Sequence, residues 1–255
     1  MEPHITENGK YRIEPLSAAT VHGALQVIKE SLCQDENVCI GTEVNKNDLA
    51  GDEFVELCVD TALDGVSLVA VHVATGDVVS AIFNKLQVAT ADPSERSYFE
   101  IFVAERCTHP SSRAVVEFMI DVDGKFNFFE KFGLDCCLEL MCLATHREHR
   151  RNALGFTLLK MSIELARTLR NGPIATLTVK DLGPKYAFIP ERQVVSNVPK
   201  FCQALLTTDI TQRFGQTLGF TVYSKIPLRD YYFNGKSYTE RIGRDAWCEL
   251  VALIL

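Results

Sequence analysis

The residues with the most chemical potential lie in the run HREHRRNALG, residues 146 to 155. Three arginines and two histidines fall within its first six residues, and the small residues Asn152-Ala153-Leu154-Gly155 follow directly. An apolar run precedes these cations and a helix-patterned run follows them. A helix N-terminus carries free backbone N–H groups and a partial positive charge. A turn of small residues lets a phosphate approach those groups, and arginines add charge and forked hydrogen bonds. The stretch therefore fits an anion site, most simply a diphosphate. A solvated loop is the bland alternative. Nucleic acid is a third, but the run has no aromatic interleaving and the chain has a formal net charge of -7. Neither a Gly-x-Gly-x-x-Gly fingerprint after the first strand nor a Gly-Lys-Ser/Thr loop is present.

A second set of chemical groups is acidic. Asp35, Glu36 and Glu43 cluster in one polar stretch, where a carboxylate can bind or deprotonate a cation. On its own, Glu36 reads as an ordinary loop residue that caps or is solvated. Thr207 and Thr211 are spaced by one helical turn and can share a face. Each can donate a proton or order water, and Thr207 can equally cap a helix. His146 and His149 belong to the phosphate side of the cationic run.

The elements that must position these groups follow from periodicity. YRIEPL reads as a first strand, and SAATVHGALQVIKESL as a helix capped by Ser17. CQDENVCIGTEV reads as a loop, and NKNDLAGDEFVELCVDTAL as a helix ending near Gly65. SLVAVHVATGDVVSAIFN predicts two strands joined at Thr75-Gly76-Asp77. Residues 91 to 132 read as a helical insertion, with Ser111 or Ser112 as a cap; such long segments often cover a site. LDCCLELMCLAT is apolar on both faces, as a central strand should be. NALGFTLLKMSIELARTLRNGP predicts a helix with Leu154, Leu158, Met161, Leu165 and Leu169 on one face and Gly172-Pro173 as the stop. IATLTV is the next expected strand. A helix around 208 to 218 and the strands FTVYSKI and CELVALIL complete an α/β (α+β) pattern.

At 255 residues the chain can bury a core without disulfides. Its nine cysteines show no zinc spacing and read as buried, reduced thiols. Cys136 and Cys137 are expected on opposite faces of a strand. The polar start has no signal-peptide core, and no apolar run approaches a membrane span. The expectation is a cytoplasmic protein, with no metal, no nucleic-acid partner and no membrane, and monomeric.

LATHREHRRNALGFTLL resembles the acyl-CoA-binding motif of the GCN5-related N-acetyltransferase (GNAT) superfamily, Arg/Gln-x-x-Gly-x-Gly/Ala. Arg150 takes its first place and Gly155 its last; Ala153 stands where the middle glycine is usual. SLCQDENVCIG is similar to the Asp-Glu-Pro loop of the insect arylalkylamine N-acetyltransferase-like family, with Asn37 replacing the proline. LLTTDITQRFGQTLGF resembles that family's Ser-x-x-x-Ser segment, and PLRDYYFNGKSY with CELVALIL its closing loop and last strand.

The resemblance implies a single GNAT domain over residues 1 to 255: a central mixed, mostly antiparallel sheet flanked by helices, with splayed central strands. Acetyl-CoA is the implied co-substrate. Leu143, Ala144 and Thr145 would pair with its pantetheine arm and polarise the thioester. Arg150 and the turn Arg151, Asn152, Ala153, Leu154, Gly155 and Phe156 would hold its diphosphate. Glu36 falls on the general base, Thr207 and Thr211 on the two serines, and Asp35 with Glu36 on the amine side. The implied reaction is direct acetyl transfer to a small primary amine. Arylalkylamines such as dopamine, serotonin and tyramine, and polyamine or agmatine-type amines, are both compatible. The alternative is a non-catalytic acyl-CoA-binding or regulatory protein of the same fold.

Overall fold

The computed structural model describes residues 3–90, 95–169, 172–190, 195 and 197–255. Residues 91–94, at the head of the expected insertion, and 170–171, near the expected helix stop, lie outside the described residues. Apolar strands and amphipathic helices assemble around one sheet. Its strands are β1 (His4–Ile5), β2 (Tyr11–Pro15), β3 (Leu68–His72), β4 (Val78–Val88), β5 (Cys136–Thr145), β6 (Phe201–Leu206), β7 (Thr221–Pro227) and β10 (Trp247–Ile254). Two short strands, β8 (Tyr232–Phe233) and β9 (Lys236–Ser237), form a separate ribbon. The main sheet runs β1-β2-β3-β4-β5-β6-β10-β7. Among the described residues every pairing is antiparallel except β5 with β6.

Two irregularities in this sheet create the site. The parallel pairing of β5 with β6 covers only Cys137 to Glu139 against Phe201 to Gln203. Past that point β5 runs on to Thr145 and β6 to Leu206, but the two no longer pair. On its other edge β5 carries a bulge. Phe83 and Asn84 of β4 face Cys142 and Leu140, so Met141 is the extra residue. A bulge bends its strand and re-aims side chains.

Helices cover both faces. On one lie α1 (Val21–Val27), the π-turn Ile28–Leu32, α4 (Asp48–Ala62) and α6 (Pro110–Asp123), whose buried residues share a core with Phe83, Cys137 and Phe201. On the other, α8 (Leu154–Thr168) buries Leu154, Leu158 and Leu165 against Ile82, Cys136 and Leu138. Cys136 and Cys137 do face opposite sides, and all nine cysteines are buried and unbridged. Burial pushes the Cys136 thiol up to about 12. Between β4 and β5 stand α5 (Tyr98–Arg106), α6 and α7 (Phe128–Phe132).

Several expected boundaries are corrected. Ser17 does not cap the first helix, which opens at Val21 with Thr20 at the N-cap. The expected loop from Cys33 is two short helices, α2 (Cys33–Asp35) and α3 (Asn37–Gly41), broken at Glu36. Ser111 and Ser112 lie inside the first turn of α6, whose N-cap is His109 with Pro110 at the first helical position. IATLTV is irregular rather than a strand, and the strand FCQALL, from Phe201, takes its place beside β5. Helix α8 stops at Thr168, before Gly172-Pro173.

Candidate active site

The gap between β5 and β6 opens into a cleft of about 500 Å³. Leu143, Ala144 and Thr145 form its β5 wall, and Arg150, Arg151, Ala153, Leu154 and Gly155 its end at α8. Asp35, Glu36, Thr207 and Thr211 complete it on the other side. Asn152 and Phe156 do not line it. Asn152 closes the turn instead, its amide donating to the His149 carbonyl at 3.0 Å, and Phe156 packs edge-on against Phe214.

The α8 end is built for an anion. Arg151 and Ala153 both have positive φ, 65° and 55°, the kind of turn that forms anion-binding concavities. Ala153 is the N-cap of α8, and no side chain caps this helix. Its first-turn N–H groups therefore face the cleft without a side-chain acceptor, as a phosphate site requires. The family's glycine at this place is explained by the same geometry, because φ of 55° costs an L-residue about 1 kcal/mol or more. At Gly155 a Cβ would meet Leu143, Phe214 and Thr145 no closer than 3.6 Å, so the chain itself does not demand glycine there. A molecule in the cleft would. These features fit the acyl-CoA that the resemblance implies.

The arginines are partly engaged. Arg147 and Arg150 both reach Asp35 at 2.6 Å, and Arg150 also donates to the Thr145 carbonyl at 3.1 Å. Burial acts to raise the Asp35 carboxyl, but hydrogen bonds from Arg147 and Arg150 outweigh it and hold the group below its ordinary value. Asp35 thus ties the α2 end to the cationic turn, and Arg147 is the site residue that the motif alone does not single out. His149 also lines the cleft, with Nδ1 3.1 Å from the Tyr11 hydroxyl. Burial, then His72 and His146, hold its imidazole below the ordinary value, so it is neutral at pH 7. His146, Glu148 and His149 are the one group among the described residues whose ligand atoms lie close enough, within 4.8 Å, to hold a metal ion.

Glu36 sits at the break between α2 and α3. Its Oε2 accepts from Val38 N at 2.8 Å and Cys39 N at 2.9 Å, capping α3. Its Oε1 is enclosed and has no hydrogen-bond partner among the described residues. The capping reading and a chemical role are therefore both open to the one carboxylate. Asn37, at the first position of α3, donates through its amide to the Thr207 carbonyl at 2.5 Å. A proline would suit that helical position, but only the asparagine can make this link.

Thr208, not Thr207, caps α9 (Asp209–Leu218). Thr207 lies outside the helix, so the two threonines do not share a helical face. Thr211 is the other half of the capping box, its hydroxyl donating to the Thr208 carbonyl at 2.9 Å. Beyond Glu36 and Thr207 a second, narrower pocket of about 70 Å³ continues from the cleft. Phe54, Val115, Phe118 and Met119 line it, with the buried Glu139. Nothing in the sequence pattern points to this pocket, because its walls come from five separate segments.

Solved structures with this architecture include N-acetyltransferases. Arylalkylamine N-acetyltransferase 2 from Aedes aegypti superposes with a TM-score of 0.73 at 18% identity, covering 96% of this chain and 98% of its own. The polyamine N-acetyltransferase of Drosophila melanogaster, which forms N-acetylagmatine, gives 0.69 at 14% identity over 96% and 100%. A mosquito arylalkylamine N-acetyltransferase like 5b gives 0.70 at 14% over the same shares. The chain has the GNAT fold of these proteins. No protein-family model and no curated protein sequence matches it.

Proposed function

We propose that the chain is one N-acetyltransferase domain that moves the acetyl group of acetyl-CoA to the primary amine of a small molecule, with α5 to α7 as its insertion. One observation carries this reading. The opened β5–β6 gap, the uncapped N-terminus of α8 and a partnerless carboxylate oxygen of Glu36 share one cleft.

In the proposed reaction Glu36 takes a proton from the ammonium, directly or through water, and frees its lone pair. The amine nitrogen attacks the thioester carbonyl, and backbone N–H groups of Leu143 to Thr145 stabilise the developing oxyanion. The C–S bond then breaks and the thiolate of CoA takes up a proton. Thr207 is the hydroxyl we assign to that end, since that of Thr211 serves its capping box. Arg150, Arg151 and the turn through Gly155 and Phe156 hold the diphosphate, Asn152 by closing the turn. Asp35 is assigned to orienting Arg150 as well as to the amine side. Buried thiols and a direct reaction leave no need for an acetyl-cysteine intermediate.

The decisive experiment is thiol release from acetyl-CoA with a panel of arylalkylamines, polyamines and agmatine. Amine-dependent release is expected. Binding of CoA with no release from any amine would instead define a non-catalytic acyl-CoA-binding protein. Among the described residues no helix is long and apolar enough to cross a membrane.

A further inference from the structure

Glu139 is 2% exposed, yet it lies on the wall of the narrower pocket. Its position along β5 fixes which end it occupies. Leu143 to Thr145 line only the cleft, Leu140 and Met141 line both cavities, and Glu139 lines only the pocket, as does Cys142 on the strand's next stretch. With a rise of roughly 3.3 Å per strand residue, Glu139 stands at the end remote from the cleft. Glu36 and Thr207 stand at the shared mouth. An amine whose nitrogen is at Glu36 therefore points its other end toward Glu139.

Across the ladder Glu139 faces buried Lys85 on β4 and buried Gln203 on β6, but its pocket side is apolar. The flanking walls are Phe54, Val115, Phe118 and Met119. Its side-chain partner is Gln87, whose amide donates to it from β4. Lys85, opposite Glu139 in the ladder, places its ammonium 3.2 Å from Asp64. Asp123, at the end of α6, adds a second acid. Burial, then Asp123, raise the Glu139 carboxyl well above its ordinary value against the pull of Gln87 and Lys85, and burial raises Asp123 to about 7. A buried acid whose facing cation, Lys85, is held by Asp64 is costly on the pocket side, and a well-packed apolar residue is commonly no worse for stability. A donor brought by the substrate offsets that cost.

We propose that Glu139 is a specificity-determining residue that accepts a hydrogen bond from an O–H or N–H group at the far end of the acceptor amine. This rests on the acetyltransferase reading above. Acceptors that carry a hydroxyl or a second ammonium opposite the reacting nitrogen are then preferred over plain analogues of the same length.

The test uses matched pairs, tyramine against phenethylamine and 1,5-diaminopentane against pentylamine. Each is assayed for kcat/KM with acetyl-CoA and titrated calorimetrically into the CoA-saturated protein. The wild type is expected to favour one or both donor-bearing members by roughly tenfold or more, the size expected for hydrogen bonds to a buried acid. Glu139→Leu should erase that preference, while CoA affinity, set at the α8 end of the cleft, stays unchanged. Glu139→Gln keeps an acceptor but cannot ionise to meet a second ammonium. It should lose preference for the diamine more than for the phenol, and it carries the test if the Leu variant does not fold. Equal use of both members of each pair by the wild type, or a preference that survives both substitutions, overturns the proposal. Failure of the acetyltransferase reading looks different: no thiol release from any amine, with calorimetry still reporting whether the pocket distinguishes the pairs.

Discussion

The carboxylate of Glu36 divides its oxygens between a helix cap and an unpartnered site. The two roles separate by substitution. Glu36→Gln keeps an acceptor for the Val38 and Cys39 N–H groups but cannot take a proton. It should unfold near the wild-type temperature and turn over about 10² to 10⁴ times more slowly. Glu36→Ala should show the same rate loss plus roughly 1 kcal/mol of lost capping. Both defects should shrink as pH rises, because solvent then supplies more free amine. Wild-type turnover of the Gln variant at neutral pH would remove Glu36 from the chemistry. Ala153 makes a different kind of prediction. Read from sequence, a glycine there risks a helix-propensity cost. At the N-cap with φ of 55° that cost does not apply, and the left-handed strain is relieved instead. Ala153→Gly should raise stability by about 1 kcal/mol, seen as a higher urea midpoint. A lower midpoint would mean that the Ala Cβ packs more favourably than its backbone is strained.

At the scale of elements, carboxylates of α4 fasten the insertion to the scaffold: Glu56 pairs with Arg106 at 2.8 Å, Asp60 accepts from the Tyr98 hydroxyl at 3.0 Å, and Glu53 holds the start of α6. Glu53 of α4 accepts from the backbone N–H groups of Thr108 and His109, each at 3.0 Å, and from the Ser112 hydroxyl at 2.5 Å. It thereby caps α6, which has no cap of its own. Burial acts to raise its carboxyl, but hydrogen bonds from Ser112, Thr108 and His109 outweigh this and bring it down to about 2. A depressed folded value means stability that is complete above the unfolded value, roughly 4.3, and that falls away as pH drops toward 2. Glu53→Gln should therefore cost on the order of 1–3 kcal/mol at pH 7 and flatten this acid limb in denaturation curves. A variant with the same limb as wild type would place the acid sensitivity elsewhere. A cap reaching across from another helix is invisible in sequence, which is why Ser111 and Ser112 looked like the caps. The strands divide similarly. β5 was legible because apolar residues on both faces mark a central strand. FCQALL was hidden behind the Pro-bearing connection, and the β-branched run IATLTV drew the assignment to itself. The π-turn at Ile28–Leu32 packs against β5, which no local pattern records.

Taken as a molecule, the chain brings together groups that the sequence keeps far apart. The turn from Arg150 to Gly155 was legible because it is contiguous. Asp35 meets Arg147 across 112 positions and Asn37 meets Thr207 across 170, so the other wall of the cleft was legible only through resemblance. The first joins α2 to the strand-to-helix turn and the second joins α3 to the segment between β6 and α9, and a ligand lying among them should stabilise the whole fold. Acetyl-CoA at 100 times its dissociation constant should add about 2.7 kcal/mol by mass action, read as a raised melting temperature. Two changes should separate binding from folding. Gly155→Ala leaves ordinary contacts around the new Cβ and favours the helix by up to about 1 kcal/mol, so the free protein should melt no lower. The same Cβ enters the cleft, so protection by acetyl-CoA should weaken. Arg150→Glu with Arg151→Glu gives up an ion pair that is largely exposed and contributes little to stability. It also puts negative charge where the diphosphate would lie. That double variant should melt near the wild-type temperature without ligand and gain nothing from acetyl-CoA. Full protection in the double variant would show that the diphosphate is held elsewhere, and that the positive-φ turn at Arg151 and Ala153 serves only to start α8.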